Sequence, residues 1–155
     1  TAWTERMQEP FEAPTDEAAV NGFGAFVGQC TMCHELSGMT DPETGDPFVF
    51  TQDKMQVSNV APDLAHFMSR TTFAGAEFDL RRPTEACIAM GLDFAEDPDC
   101  IDQAKLRAWL HDPESMIPMY AQGIDGEKGT IRGMPNLNLA PAAIDSLVAF
   151  LETLK

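Results

Sequence analysis

Positive charge is scarce in this sequence. Ten Lys and Arg stand against 25 Asp and Glu, a formal net charge of −15 at pH 7. Nucleic acid is a poor partner for such a chain, because the phosphate term would be repulsive. No run of 18 apolar residues is present, so no helical membrane span lies within these 155 residues. Aromatic residues make only 8%, with a single Tyr. The chain has three His and four Cys, and no two separate Cys/His pairs stand at zinc-ligand spacing. The length fits one domain, and repeats and low-complexity tracts are absent.

Against that background "GQCTMCHELSG" (28–38) stands out, with Cys30, Cys33 and His34 packed together. Three chemistries use such a cluster. In a zinc half-site, the adjacent Cys33 and His34 cannot easily point at one tetrahedral ion, and Cys87 and Cys100 stand apart. A thioredoxin-like redox pair follows a strand, yet nothing upstream of Cys30 alternates like one. In covalent haem attachment both thiols bond to the porphyrin vinyl groups and the histidine binds iron from one face. The order of residues fits this third chemistry best. Haem c is attached outside the cytoplasm, so a longer or processed chain upstream of Thr1 is expected. Cys87 and Cys100 are an even leftover pair, which in an exported protein points to a disulfide; the alternative is two free buried thiols.

Residues 1–14, "TAWTERMQEPFEAP", read as a linker or arm. Thr15 is a fair N-cap for a helix over Asp16–Met32, with Asp16 and Glu17 in its first turn and Gly22, Phe26 and Cys30 on one face. Residues 36–58 read as loop, with a weak strand-like piece in "VFTQDKMQV". Residues 59–70 start as a turn and end in a short helix. The stretch 71–100 is irregular apart from a helix near Pro83–Met90 that Gly91 ends. A stronger helix covers 101–112 and stops at Pro113. After a long loop over 113–140, the last helix starts at Pro141, with Ile144, Leu147, Val148, Leu151 and Leu154 as its apolar stripe. The expectation is an all-α chain, three main helices with long loops around one haem motif.

In order along the chain, Gly22, Phe26, Cys30-x-x-Cys33-His34, "APDL", Arg70, "WLHDP", "MPNLNL" and "IDSLVAFLETL" resemble class I cytochrome c. They look most like the cytochrome c domain at the C-terminus of subunit II in caa-type cytochrome c oxidases. The resemblance makes 1–14 the arm after an absent upstream copper domain and 15–155 the cytochrome c domain. Residues 71–100 and 120–133 depart from the family as insertions. The class I cytochrome c fold is what it implies, and it assigns roles. His34 is the proximal ligand, and the Pro62 carbonyl holds its other ring nitrogen. Arg70 supports a haem propionate, and Trp109 fills the aromatic slot near the distal ligand. Gly22 and Phe26 cross Leu147 and Phe150. Met134, followed by Pro135, is the distal ligand; Met119 and Met116 are the alternatives in that loop, ahead of His66 and His111.

The implied function is one-electron transfer, from a soluble donor to the copper centre of subunit II, on the extracytoplasmic (periplasmic) face of the membrane. The domain is then a relay within an oxidoreductase and no catalyst by itself. The donor is a cytochrome c or a small iron–sulfur protein with a basic docking face, to suit the acidic surface, and membrane contact comes only through the parent complex. The alternative is a haem c domain or subunit of a periplasmic dehydrogenase, or a free-standing carrier. A gas-binding haem and a haem-free structural domain are the readings from other classes.

Overall fold

The computed structural model describes residues 5, 9–40, 43–46, 61–94, 97, 100–117 and 133–155. Its longest helix, α1 (Glu17–Gln29), opens on Asp16, whose carboxylate accepts from the amides of Ala18 and Ala19 at 3.1 and 3.3 Å. The cap is therefore one residue later than the hydroxyl of Thr15 suggested. α1 also stops short of Met32, because residues 30–33 tighten into turns at the cysteine motif.

The remaining helices are short. α2 (Glu85–Met90) is capped by the Thr84 hydroxyl, which accepts from the Cys87 amide, and is closed by Gly91 at φ 65°. α3 (Gln103–His111) is capped by Asp102 through the Lys105 amide at 3.1 Å. Asp102 is buried, and its other oxygen pairs with Arg82 at 3.1 Å, so the charge is answered on both sides. Pro113 ends the α3 pattern and also starts α4 (Pro113–Met116), where a missing N–H costs nothing. The sequence pattern predicts loop from 113 on, and α4 takes up its first four residues. α5 (Pro141–Leu151) buries Ile144, Leu147, Val148, Phe150 and Leu151.

The expectation of an all-α, class I cytochrome c fold is corrected. Beside the five α-helices and a 3-10 turn (Phe67–Ser69), the described residues hold two two-stranded sheets, a small mixed arrangement of helix and sheet. β1 (Phe11–Glu12) lies in the supposed linker and pairs in parallel with β2 (Met39–Thr40), in the supposed loop. β3 (Thr72–Phe73) and β4 (Phe78–Asp79) form an antiparallel hairpin with Phe73 opposite Phe78. Strands of two residues carry no readable alternation, and tertiary contacts decide them. The strand-like piece over 49–57 lies outside the described residues, as do Met119 and residues 120–132.

The core is organised by the crossing of α1 over α5. Phe26 packs on Phe150 with ring centroids 5.3 Å apart, and Phe23 lies 5.4 Å from the same ring. Gly22 sits at the closest approach: a Cβ there would fall 1.9 Å from the backbone oxygen of Ser146. Leu106 and Leu110 of α3 join this cluster, as do Met39, Met68, Phe73 and Leu80.

Candidate functional site around Cys30, Cys33 and His34

The end of α1 sets the site. The Cys30 amide still bonds to Phe26, at 2.7 Å, and then the amides of Cys33 and His34 both turn back onto the Cys30 carbonyl, at 3.0 and 2.8 Å. This turn brings two thiols and an imidazole to one place. Cys30 is buried, while Cys33 and His34 are half-buried. Both thiols are free, whereas Cys87 and Cys100 are joined by a disulfide with Cα atoms 5.2 Å apart. Burial, and then the neighbouring Cys33, push the Cys30 thiol up to about 11. A redox-active pair needs a lowered thiol instead, so this environment does not favour dithiol exchange.

His34 Nδ1 lies 2.7 Å from the carbonyl oxygen of Pro62. A carbonyl can only accept, so Nδ1 is the donor, and in the neutral ring Nε2 carries the lone pair. Ligating histidines are oriented in this way by a bond to the far nitrogen. The Pro62 carbonyl is itself held. Leu64 donates its amide to the Glu35 carbonyl at 2.8 Å, so residues 35 and 64 run side by side. The Asp63 carboxylate accepts from the amides of Ser37 at 3.2 Å and Ala65 at 2.8 Å, and the Arg70 guanidinium donates to the Asp63 carbonyl. Partial burial works against ionisation of Asp63, but the bonds from Ser37 and Ala65, with Arg70 nearby, outweigh it and lower its pKa. The sequence reading missed Asp63. Its signal was the Pro-Asp pair with an amide two residues on, the pattern of an Asx turn.

The structure thus joins Cys30, Cys33, His34, Pro62 and Arg70 in one stretch. Arg70 also lies over the Phe67 ring, 5.9 Å from its centroid. Trp109 belongs to an aromatic cluster, edge-on to Phe73 and Phe78 at 6.1 and 5.9 Å. Met134 is half-buried against the same apolar core. Neither Trp109 nor Met134 has a described contact with His34. Met116 is half-buried in α4. His66 is a buried core residue whose two ring nitrogens face the carbonyls of Lys155 and, at 3.0 Å, Glu9. With both nitrogens engaged, it has none left for a metal. His111 is exposed at the end of α3.

Among the described residues no three His, Cys, Asp or Glu side chains converge to hold a metal ion by themselves. A cleft of about 430 Å³ lies elsewhere, lined by Arg82, Asp102, Gln103, Glu152 and Lys155 among others, and shares no residue with the motif. No described helix is long and apolar enough to cross a membrane. No family model matches the chain, and no curated protein or solved structure does either.

Proposed function

We propose that the chain holds one haem c and serves as a one-electron relay. The observation that carries this reading is the turn at Cys30–His34. It offers two unbridged thiols and an imidazole whose Nδ1 is occupied by Pro62, so Nε2 is the one ring nitrogen free to bind iron. The donor set fits the group: a porphyrin brings four nitrogens of its own, so the chain would need to supply only His34 and one further donor. When bound, the haem supplies an iron that changes by one unit of charge.

The rest is the work of this chain's residues. Cys30 and Cys33 would tether the ring edge through thioether bonds. His34 would bind from one face, in the orientation set by Pro62, Asp63 and Ser37. Met134 would bind from the other, a soft donor that favours the reduced metal. Arg70 would balance a propionate, and Trp109 with Phe73 and Phe78 would keep water from the distal side. Were His34 and Met134 both to hold the group, it would exchange an electron without binding a substrate, which suits relay rather than catalysis.

The order of motifs along the sequence supports a place at the C-terminus of an oxidase subunit II, on the extracytoplasmic face. There the relay would take electrons from a soluble donor with a basic face and pass them to a copper centre. The test is expression with a haem c maturation system, followed by oxidised visible and near-infrared spectra of wild type and Met134→Ala. The expected result is covalently held haem, lost in Cys30→Ser/Cys33→Ser, and a weak far-red sulfur-to-iron band present in wild type and absent in Met134→Ala. A colourless protein after maturation overturns the haem reading. A band that survives in Met134→Ala moves the ligand to Met116 or Met119.

A further inference from the structure

The loop closed by Cys87–Cys100 has an unusual surface. α2 stands on it with Cys87 as its one buried residue. Ile88, Met90 and Phe94 are 67%, 55% and 47% exposed. They are three of the five large apolar side chains that the described residues leave exposed; Val20 and Met32 are the others. Apolar exposure concentrated over seven positions is not the scattered kind that needs no explanation. The disulfide anchors this segment at both ends and so holds the side chains out at low entropic cost to a partner.

The charge around them has one sign. From Glu85 to Cys100 the sequence carries Glu85, Asp93, Glu96, Asp97 and Asp99, with no Lys, Arg or His. The nearest bases are occupied. Arg81 donates to the carbonyls of Asp97, at 2.7 Å, and Met68, and Arg82 pairs with buried Asp102. A second copy of this chain would bring the same acids face to face, and an anionic lipid surface would be repelled as well. We propose that the surface of α2 and the residues after it, up to Phe94, is a docking surface for a basic protein face, with Ile88, Met90 and Phe94 as its apolar centre and Glu85 and Asp93 at its rim. The inference stands apart from the haem reading, because docking can be measured without electron transfer.

The experiment is calorimetric titration of the full chain with a helical peptide bearing a leucine stripe flanked by lysines. The control peptide has glutamates in place of the lysines. The lysine peptide is expected to bind with an affinity that falls as salt rises, and the glutamate peptide not to bind. Ile88→Ser with Phe94→Ser should weaken binding roughly tenfold, and Glu85→Gln with Asp93→Asn should flatten the salt dependence. Val20→Ser, at an exposed apolar residue elsewhere, should bind as wild type. All these sites are on the surface or in the loop, and far-ultraviolet circular dichroism checks that the variants fold. The proposal is overturned if the lysine peptide does not bind, or if the Ile88/Phe94 variant binds like wild type. It is equally overturned if wild type self-associates in sedimentation and that variant does not, since a second copy would then be the occupant.

Discussion

Replacing Gly22 by Ala tests the crossing on which the core depends. In an exposed helix interior this change is favourable, by up to about 1 kcal/mol, because Ala loses less backbone entropy. At Gly22 the new Cβ would stand 1.9 Å from the Ser146 oxygen, 2.5 Å from its carbonyl carbon and 2.8 Å from Phe150 Cβ. Two of these atoms are backbone, so no side-chain rotation relieves the contact. Ordinary contact starts at 3.4 Å, so α1 and α5 must part by about 1.5 Å, which loosens Phe26 and Phe23 on Phe150. Overpacking costs about 1–3 kcal/mol, and the lost dispersion contacts add to it. We expect a net loss of about 3 kcal/mol, or a fall in Tm of roughly 6–12 °C for a chain of this size. Gly24 is the matched control: it lies in the same helix, and a Cβ there meets nothing within 4 Å. Gly24→Ala should leave Tm unchanged or raise it. Thermal melts followed by circular dichroism compare the two. If Gly22→Ala melts with Gly24→Ala, the two helices do not cross at Gly22 and the packing argument fails.

Replacing both Cys87 and Cys100 with Ala should cost about 3 kcal/mol in the chain-entropy account, with any visible spectrum of the matured protein unchanged; equal melting of the two proteins would contradict this. Asp63 has a folded pKa below its unfolded one, so its contribution is fully present above the ordinary carboxylate range and disappears as pH falls through the folded value. The stability gap between wild type and Asp63→Asn should therefore be open at neutral pH and close on acidification below about pH 4; a gap constant to pH 2 refutes the assignment. His66→Leu removes the buried ring that lies between the Glu9 and Lys155 carbonyls, at about 1 kcal/mol for each hydrogen bond lost. Hydrogen exchange should show amides near Phe11 and Ala13 opening faster, while those of Cys33 and His34 keep their protection.

Wherever a sequence signal is strong and local, it reads through to the structure. The stripe Ile144–Leu154 is buried, Gly22 and Phe26 face α5, Gly91 closes α2, and Pro141 opens α5. Cys30, Cys33 and His34 were legible because three uncommon side chains stand at fixed spacing. What was not legible depends on distant partners. Phe11–Glu12 becomes a strand only because Met39–Thr40 lies alongside, and nothing in "FEAP" announces it. The hairpin over Thr72–Asp79 turns through Ala74, Gly75 and Ala76, all at positive φ, and two of those residues are alanines that give no turn signal. Asp63 gains its bond from Ser37 only because the fold brings together residues 26 positions apart. These tertiary contacts are why the all-α expectation failed although the main helices fall near their expected places.

The α1–α5 crossing also sets an order of events. Cys30 ends α1, and the residues that cross over that helix are made more than a hundred positions later. The pairing of Phe26 with Phe150 is therefore a contact between distant parts of the chain, and α1 finds its partner face only when α5 is present. Folding of α1 should wait on α5, so that the amides of the two helices gain protection together.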